Sequence, residues 1–244
     1  MAARKVKFDW STLDRYGLLD FLWLAAPQVV GQSLTVRDFH SRISRHIREY
    51  IPVAVIKKYC NRVEPDLVHV GGAYYSEQDR RRLRCIDIIF VYNTDAKMIH
   101  ITRRRFQRMC SVFADTLLHE IIHMRQSRRR RFKDLPAYAS TAERTEQRRE
   151  QEYLGHNDEI DAYSFNIACE LMDKFYNNTK QVVSYLNEDQ QHKRRQDNSW
   201  RNYLKAFDHD HNHAIIRRVK KRVIRYLPYA ELGKPYKGSD WINH

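Results

Sequence analysis

The segment from Arg103 to Arg128 constrains the fold of this chain more than any other part of its sequence. Its apolar residues recur at intervals of three and four, the spacing that places side chains on one face of an α-helix. They are Phe106, Met109, Cys110, Phe113, Leu117, Ile121 and Met124. Thr102 precedes the segment and belongs to a residue type that favours the N-cap position. We predict one long helix, capped by Thr102, that buries this apolar stripe.

The remaining sequence predicts a helix-rich α+β fold. With only 7 glycines and 6 prolines in 244 residues, the chain has few helix breakers. Runs of strand-forming residues occur at Leu67 to Tyr75, Cys85 to Tyr92 and Met98 to Ile101. Two or three further helices are predicted within residues 11–60. Another runs from Asn157 or Asp158, either of which can cap this helix, to about Tyr176. Beyond Asn177 more helices are predicted, including a basic helix from about His213 to Tyr226.

Positive charge is in excess and is clustered along the chain. There are 44 Lys and Arg residues against 30 Asp and Glu residues, for a net charge of +14. The clusters are Arg80 to Arg82 with Arg84, Arg103 to Arg105, Arg128 to Arg131, Lys193 to Arg195, and Arg217 to Arg225. Such patches favour polyanions, above all nucleic acid, and equally fit solvated helix faces. No helix-turn-helix, zinc-finger or RNP signature accompanies them.

The sequence indicates a protein of the cytoplasm with no membrane partner. No apolar run approaches the length of about 18 residues that a membrane-spanning helix needs. The best candidate, Leu18 to Val30, is interrupted by Asp20 and Pro27. The four cysteines form no CxxC pair, which is typical of reduced thiols in a cytosolic compartment.

His119, Glu120 and His123 form an HExxH motif inside the predicted long helix. Residues four apart lie on the same face of a helix, so both imidazoles can bind one Zn²⁺ ion. Glu120 then lies beside the ion, where it can take a proton from a zinc-bound water and pass it to a leaving amine. The spacing predicts a zinc site with Glu120 as general base. The alternative interpretation is a helix with two surface histidines.

A catalytic zinc usually has three protein ligands, so a third is expected from another segment. The segment from Tyr153 to Tyr163 is the best source, because Glu159 would lie in the first turn of a helix with Ala162 and Tyr163 on the same face. The small side chain of Ala162 would let this helix approach the HExxH helix closely. Alternative acidic ligands are Glu143, Glu146, Glu150 and Glu152, whose arginine neighbours are more typical of an exposed helix.

From residue 98 to about 175 the chain resembles known zinc peptidases. An HExxH motif followed by a helix that opens Glu-x-x-Ala, here Glu159 to Ala162, resembles the gluzincin class of metallopeptidases. The fuller string from Tyr153 to Ala168 is similar to small metallopeptidases encoded by tailed bacteriophages. This resemblance implies a zincin-like core with a small β-sheet beside the HExxH helix and Glu159 as third ligand. Many gluzincins have Asp four residues after that Glu; Tyr163 stands there instead and can donate to a developing oxyanion or pack in the core.

A second resemblance leads to a different third ligand. The stretch from Ile99 to Thr102, leading into Asp115 to His123, is similar to the SprT/Spartan family, which degrades proteins crosslinked to DNA. In that family a histidine between two glycines is the third ligand, and Gly155-His156 matches it except that Asn157 replaces the second glycine. In both families a strand beside the active-site helix binds substrate backbone, which would here be Cys85 to Tyr92 or Met98 to Ile101.

These patterns lead to one main functional expectation and two alternatives. We expect a zinc-dependent peptidase acting on a peptide or protein, with ligands His119, His123 and Glu159, and with Glu120 and Tyr163 as catalytic residues. The expected organisation is an N-terminal helical extension (1–60), a zincin-like core (60–178) and a basic helical extension (179–244). The alternatives are a DNA-associated protease of the SprT/Spartan type, and a basic nucleic-acid-associated or virion structural protein with a degenerate zincin core. If phage-encoded, the protein would act in the infected host cell.

Overall fold

The computed structural model describes residue 10 and residues 13–79, 82–133, 145–188 and 199–230. Features predicted at Arg80, Arg81, Glu143 and the run from Lys193 to Arg195 lie outside the described residues. The fold is α+β, as predicted, with small sheets and many helices. The chain forms two compact units, and the boundary between them falls after Met124. The predicted division at residues 60 and 178 stays a prediction.

The first unit combines helices with two small sheets. Its helices are α1 (Arg15–Trp23), α2 (Ala26–Val29), α3 (Val36–Tyr50) and most of α4 (Arg103–Arg129). Its strands are β1 (Ser33–Thr35), β2 (Ala54–Tyr59), β3 (His69–Tyr74), β4 (Ile86–Tyr92) and β5 (Met98–His100). Strands β1 and β5 pair as an antiparallel ribbon, and the other three strands form a sheet in the order β2-β4-β3.

The central position of β4 explains its sequence and corrects one expectation. Strand β2 pairs with β4 in parallel, and β3 pairs with it antiparallel from His69 opposite Val91 to Tyr74 opposite Ile86. A strand with neighbours on both sides is covered on both edges, so β4 cannot receive a further strand. The prediction that Cys85 to Tyr92 binds substrate by strand addition is therefore wrong. The outer edge of β3 has no strand partner among the described residues.

Strand β2 lies in a region for which only helices were predicted. Its residues are β-branched at Val55 and Ile56, but Lys57, Lys58 and Tyr59 are exposed and give no buried alternation. The strand forms because its backbone pairs with β4 along its whole length. Pairing with β4 thus determines the secondary structure of a segment whose local sequence pattern is ambiguous.

Helix α4 has the predicted cap and buried stripe, begins at the predicted residue and ends one residue later than predicted, at Arg129. The backbone N–H of Arg105 donates to Oγ1 of Thr102 at 3.3 Å, which is the expected N-cap bond. The seven apolar residues that predicted the helix are all buried: Phe106, Met109, Cys110, Phe113, Leu117, Ile121 and Met124. The period of the apolar residues was therefore sufficient to predict both the helix and its packing face.

The second unit is helical in the part that the structure describes. It contains the last turn of α4, then α5 (Glu146–Gly155), α6 (Asn157–Lys174), α7 (Thr179–Asn187), α8 (Ser199–Ala206) and α9 (Ala214–Tyr226). Helix α6 is its centre, with buried residues around most of its circumference, and it packs against α5, α7, α8 and α9. No helix of the described chain is both long enough and apolar enough to span a membrane.

The cap of α6 differs from the predicted one. Asn157 and Asp158 were the expected caps, but both lie inside the helix, and His156 occupies the N-cap position. Nδ1 of His156 accepts the backbone N–H of Asp158 at 3.3 Å. The same residue is the C-cap of α5, so a single residue joins the two helices.

A buried ion pair ties α1 to α4 in the first unit and gives a stability prediction. Arg15 donates through Nε to Oδ1 of Asp115 at 2.7 Å, and the two side chains are only 8% and 15% exposed. Arg15→Met removes the cation but leaves the carboxylate buried. We expect a loss of about 3 kcal/mol in the free energy of unfolding, measured by urea denaturation.

The matched control is Arg105→Met. Arg105 pairs with Asp66 at 3.4 Å, but these side chains are 39% and 43% exposed. Loss of such a pair costs at most about 1 kcal/mol. Equal losses in the two variants would contradict the role given to the Arg15–Asp115 pair.

Candidate metal centre

Helix α4 places the two histidines of the HExxH motif side by side. Nε2 of His119 and Nε2 of His123 lie 2.9 Å apart, and the ring centroids are 4.6 Å apart. His119 is only 6% exposed, and His123 is half-buried. The alternative of two surface histidines therefore does not describe this pair. Both imidazoles instead direct the same ring nitrogen towards one point.

Glu120 is buried under the backbone of strand β3. Its side chain is only 7% exposed, and the strand passes it at Gly72. A β-carbon at Gly72 would lie 2.8 Å from both Cγ and Oε1 of Glu120, and 2.7 Å from Cγ2 of Thr116. Only glycine leaves room for the helix and the strand at this distance. The carboxylate of the motif is thus held next to the edge strand of the sheet.

The last turn of α4 is bonded to the start of α6 within the second unit. Gln126 donates to the backbone carbonyl of Asp158 at 3.1 Å, and Arg130, which follows α4, donates to the carboxylate of Asp158 at 2.6 Å. Both residues lie on the helical stripe that contains His119 and His123, since the steps between the four residues are four, three and four. The residue after Asp158 is Glu159. Sequence reasoning did not identify Gln126 or Arg130, although their position on that stripe was a signal for them.

His119, His123 and Glu159 could together hold a metal ion. Each offers one ligand atom, and these atoms all lie within 4.8 Å of one another. Among the described residues no other group of three or more His, Cys, Asp and Glu side chains meets this condition. The alternative third ligand, His156, is outside the group and caps α6. Glu146, Glu150 and Glu152 lie on α5 and are also outside it, whereas Glu143 is not described.

Tyr153 on α5 is a further residue of this site that sequence reasoning did not assign. Its hydroxyl forms hydrogen bonds with the side chains of Glu159 and Tyr163. A carboxylate only accepts, so Tyr153 donates to Glu159. Burial, together with the neighbouring Tyr163 and Glu159, raises the pKa of the Tyr153 hydroxyl far above its ordinary value. The hydroxyl therefore stays protonated and remains a donor to the carboxylate.

Tyr163 lies one turn after Glu159 on α6, as the helical spacing predicted. Its ring packs edge-on against Tyr153 and Tyr203, with centroids 6.4 and 5.7 Å away. Its side chain also forms a hydrogen bond with Tyr153, so Tyr163 combines ring packing with a polar contact. Its expected role as a donor to an oxyanion stays a prediction.

Comparison of the chain with protein-family models, with curated proteins and with solved structures finds no match. The likeness to gluzincins and to the SprT/Spartan family therefore stays a prediction from motifs.

The contact between Gly72 and Glu120 generates a prediction with an adjacent control. Gly72→Ala places a β-carbon where Glu120 and Thr116 already lie, so either the strand or the carboxylate must move. We expect a loss of roughly 1–3 kcal/mol in the free energy of unfolding, measured by chemical denaturation.

Gly71→Ala in the same strand is the control, because nothing lies within 4 Å of its added β-carbon. Where the backbone suits alanine, this change stabilises by about 0.4–1 kcal/mol through the unfolded state. If Gly72→Ala were as well tolerated as Gly71→Ala, the close packing of β3 on Glu120 would be refuted.

Proposed function

We propose that this protein is a zinc-dependent peptidase in which His119, His123 and Glu159 bind Zn²⁺ and Glu120 is the general base. One observation carries the proposal: a helical HExxH motif whose two imidazoles share a group of ligand atoms within 4.8 Å with a carboxylate from a separate helix. Two histidines and one carboxylate, with a position left for water or substrate, form a ligand set used by catalytic zinc.

The donor set suits zinc in chemistry, and its ligand atoms lie close enough together for small shifts to bring them to zinc-binding distances. Zinc binds imidazole nitrogen and carboxylate oxygen at about 2.0–2.2 Å, which separates tetrahedral ligand atoms by roughly 3.3–3.6 Å. The two Nε2 atoms are 2.9 Å apart, so small rotations of these rings suffice. Tyr153 donates to Glu159 and so orients the carboxylate, as outer hydrogen bonds commonly do for metal ligands. We assign Tyr153 the role of a positioning residue.

The zinc ligands and Glu120 would then have separate roles in peptide hydrolysis. When bound, Zn²⁺ supplies Lewis-acid chemistry by making water more acidic and by polarising a carbonyl group. Glu120 accepts the proton of the attacking water and returns it to the amine nitrogen as the peptide bond breaks. Its buried position beside His119 keeps bulk water from competing for this proton.

We further propose that β3 replaces β4 as the strand that receives substrate. The outer edge of β3 is unpaired by any strand in the described chain, and Gly72 of this strand lies against Glu120. An extended peptide added to that edge would form main-chain hydrogen bonds beside the general base. Strand β5, the other predicted candidate, pairs with β1 along one edge.

The choice of third ligand separates the proposal from the SprT/Spartan alternative. Glu159 belongs to the group of ligand atoms, while His156 accepts a backbone hydrogen bond as the cap of α6. This favours a gluzincin-like set of ligands. The other alternative, a basic structural protein with a degenerate zincin core, gives no role to the buried Glu120. The clusters of basic residues that suggested this alternative are also compatible with a peptidase.

Metal analysis tests the proposed ligands. Purified protein should contain about one zinc per chain, and Glu159→Ala should lose it, because two imidazoles alone bind zinc far more weakly. His156→Ala should keep the metal and lose only about 1 kcal/mol of stability from the missing cap. Elemental analysis by mass spectrometry measures the zinc content, and thermal denaturation measures the stability. Retention of zinc by Glu159→Ala together with its loss in His156→Ala would replace our ligand set with the alternative one.

Replacement of the base tests the reaction. Glu120→Gln should keep zinc but lower cleavage of a labelled casein by about 100-fold or more, because amide oxygen cannot accept the proton. Glu150→Gln is the matched control, because Glu150 is exposed on α5. This variant should cleave casein at the rate of the unchanged protein. Unaltered cleavage in Glu120→Gln, with zinc still bound, would exclude Glu120 as the base.

A further inference from the structure

Helix α9 separates its residues into a buried apolar face and an exposed basic face. Ile216, Val219, Val223 and Tyr226 are buried in the second unit, where α9 packs against α6. The remaining surface carries six cations, of which five are exposed and Lys220 is half-buried: Arg217, Arg218, Lys220, Lys221, Arg222 and Arg225. The helix contains no acidic residue. Its positive charge is therefore not neutralised within the helix.

Neighbouring helices engage only one side of this basic face. Arg218 donates to Oδ1 of Asn157, and Lys220 donates to Oδ1 of Asn187 at 3.0 Å. Arg222 pairs with Asp161 at 3.4 Å, and this carboxylate also accepts the hydroxyl of Tyr226 at 2.9 Å. These contacts fix α9 on α6 but remove little of its charge.

Arg217, Lys221 and Arg225 form a separate exposed row, which we call the basic stripe. They are four residues apart, so the helical rise places them about 6 Å from one another along the axis. Among the described residues none of these three side chains has a hydrogen-bond or ion-pair partner. Like charges at this spacing destabilise a helix by a few tenths of a kcal/mol for each pair. Within the part of the chain that the structure describes, the stripe is thus a regular row of cations without a counter-charge.

We propose that the basic stripe of α9 binds the phosphate backbone of a nucleic acid. A phosphate backbone presents closely and regularly spaced negative charges, and two of the three cations are arginines, whose guanidinium group can bind phosphate through two hydrogen bonds. The contact would be independent of base sequence, since phosphates carry no sequence information. This inference goes beyond peptide hydrolysis and does not depend on the metal.

The buried face of α9 argues against a lipid surface as the partner. Basic helices that lie on membranes insert an apolar face between the lipids. In α9 that face is already covered by the second unit, and Ile224, at 46%, is its one large apolar side chain that is clearly exposed. Vesicles therefore serve as a negative arm of the test.

The salt dependence of binding tests the proposal on the full chain. Fluorescence anisotropy with a labelled 20-base-pair DNA and with a single-stranded RNA of equal length gives the binding constant between 50 and 300 mM NaCl. We expect a plot of the logarithm of the binding constant against the logarithm of the salt concentration to have a steep negative slope. For the duplex, Arg217→Gln/Lys221→Gln/Arg225→Gln should make the slope shallower by about 2.7, that is, about 0.9 for each lost phosphate contact.

Two variants control for net charge and for folding. Arg37→Gln/Arg45→Gln/Lys58→Gln removes the same charge from exposed positions of the first unit and should leave the slope within about 1 of its original value. Arg217→Lys/Arg225→Lys keeps the charge on α9 and should keep the slope. Binding of either nucleic acid with these differences supports the proposal, and the preferred strand form identifies the partner. Equal slopes in the two glutamine variants, no salt-dependent binding, or binding only to anionic phosphatidylserine vesicles would overturn it.

Discussion

The period of one uninterrupted helix governs the geometry of the candidate centre. Helix α4 buries its apolar stripe in the first unit, and on another side it presents His119, His123 and Gln126, followed by Arg130, at steps of four, three and four. The first two residues offer nitrogen ligands, and the last two hold Asp158, the neighbour of Glu159. All four positions therefore follow from a single helical period.

Two polar residues of the HExxH motif are buried. His119 and Glu120 are 6% and 7% exposed. Burial of a polar or charged side chain is unfavourable unless specific neighbours compensate it. Gly72 adds a further constraint, because its backbone lies where any side chain would meet Glu120. Departures from simple apolar packing of this kind are typical of functional sites. The same reasoning sets Glu120 apart from the acidic residues of α5, which are mainly exposed.

The sequence predicted those features that depend on local period and failed for those that depend on partners. The extent of α4 and the pairing of His119 with His123 follow from helical spacing, and the Thr102 cap follows from its residue type. The strand character of β4 follows from its apolar run, but its central place depends on the neighbours that the chain brings to it. For the same reason β3 was not identified as the edge beside Glu120. His156 was not expected as a cap, because Asn157 and Asp158 are more favourable types for that position. Tyr153 gave no signal, since its bond to Glu159 spans a helix junction that has no fixed period.

The junction at His156 has a mechanical consequence for Glu159. Helices α5 and α6 share this one residue as C-cap and N-cap, so no flexible linker separates them. Helix α5 buries only Leu154, and short, solvated helices of this kind open more readily than the core around them. Since α5 also supplies the Tyr153 hydroxyl, fraying of this small helix would release the carboxylate while α6 stayed folded. The position of the half-buried Glu159 carboxylate would then depend on the stability of the short surface helix beside it.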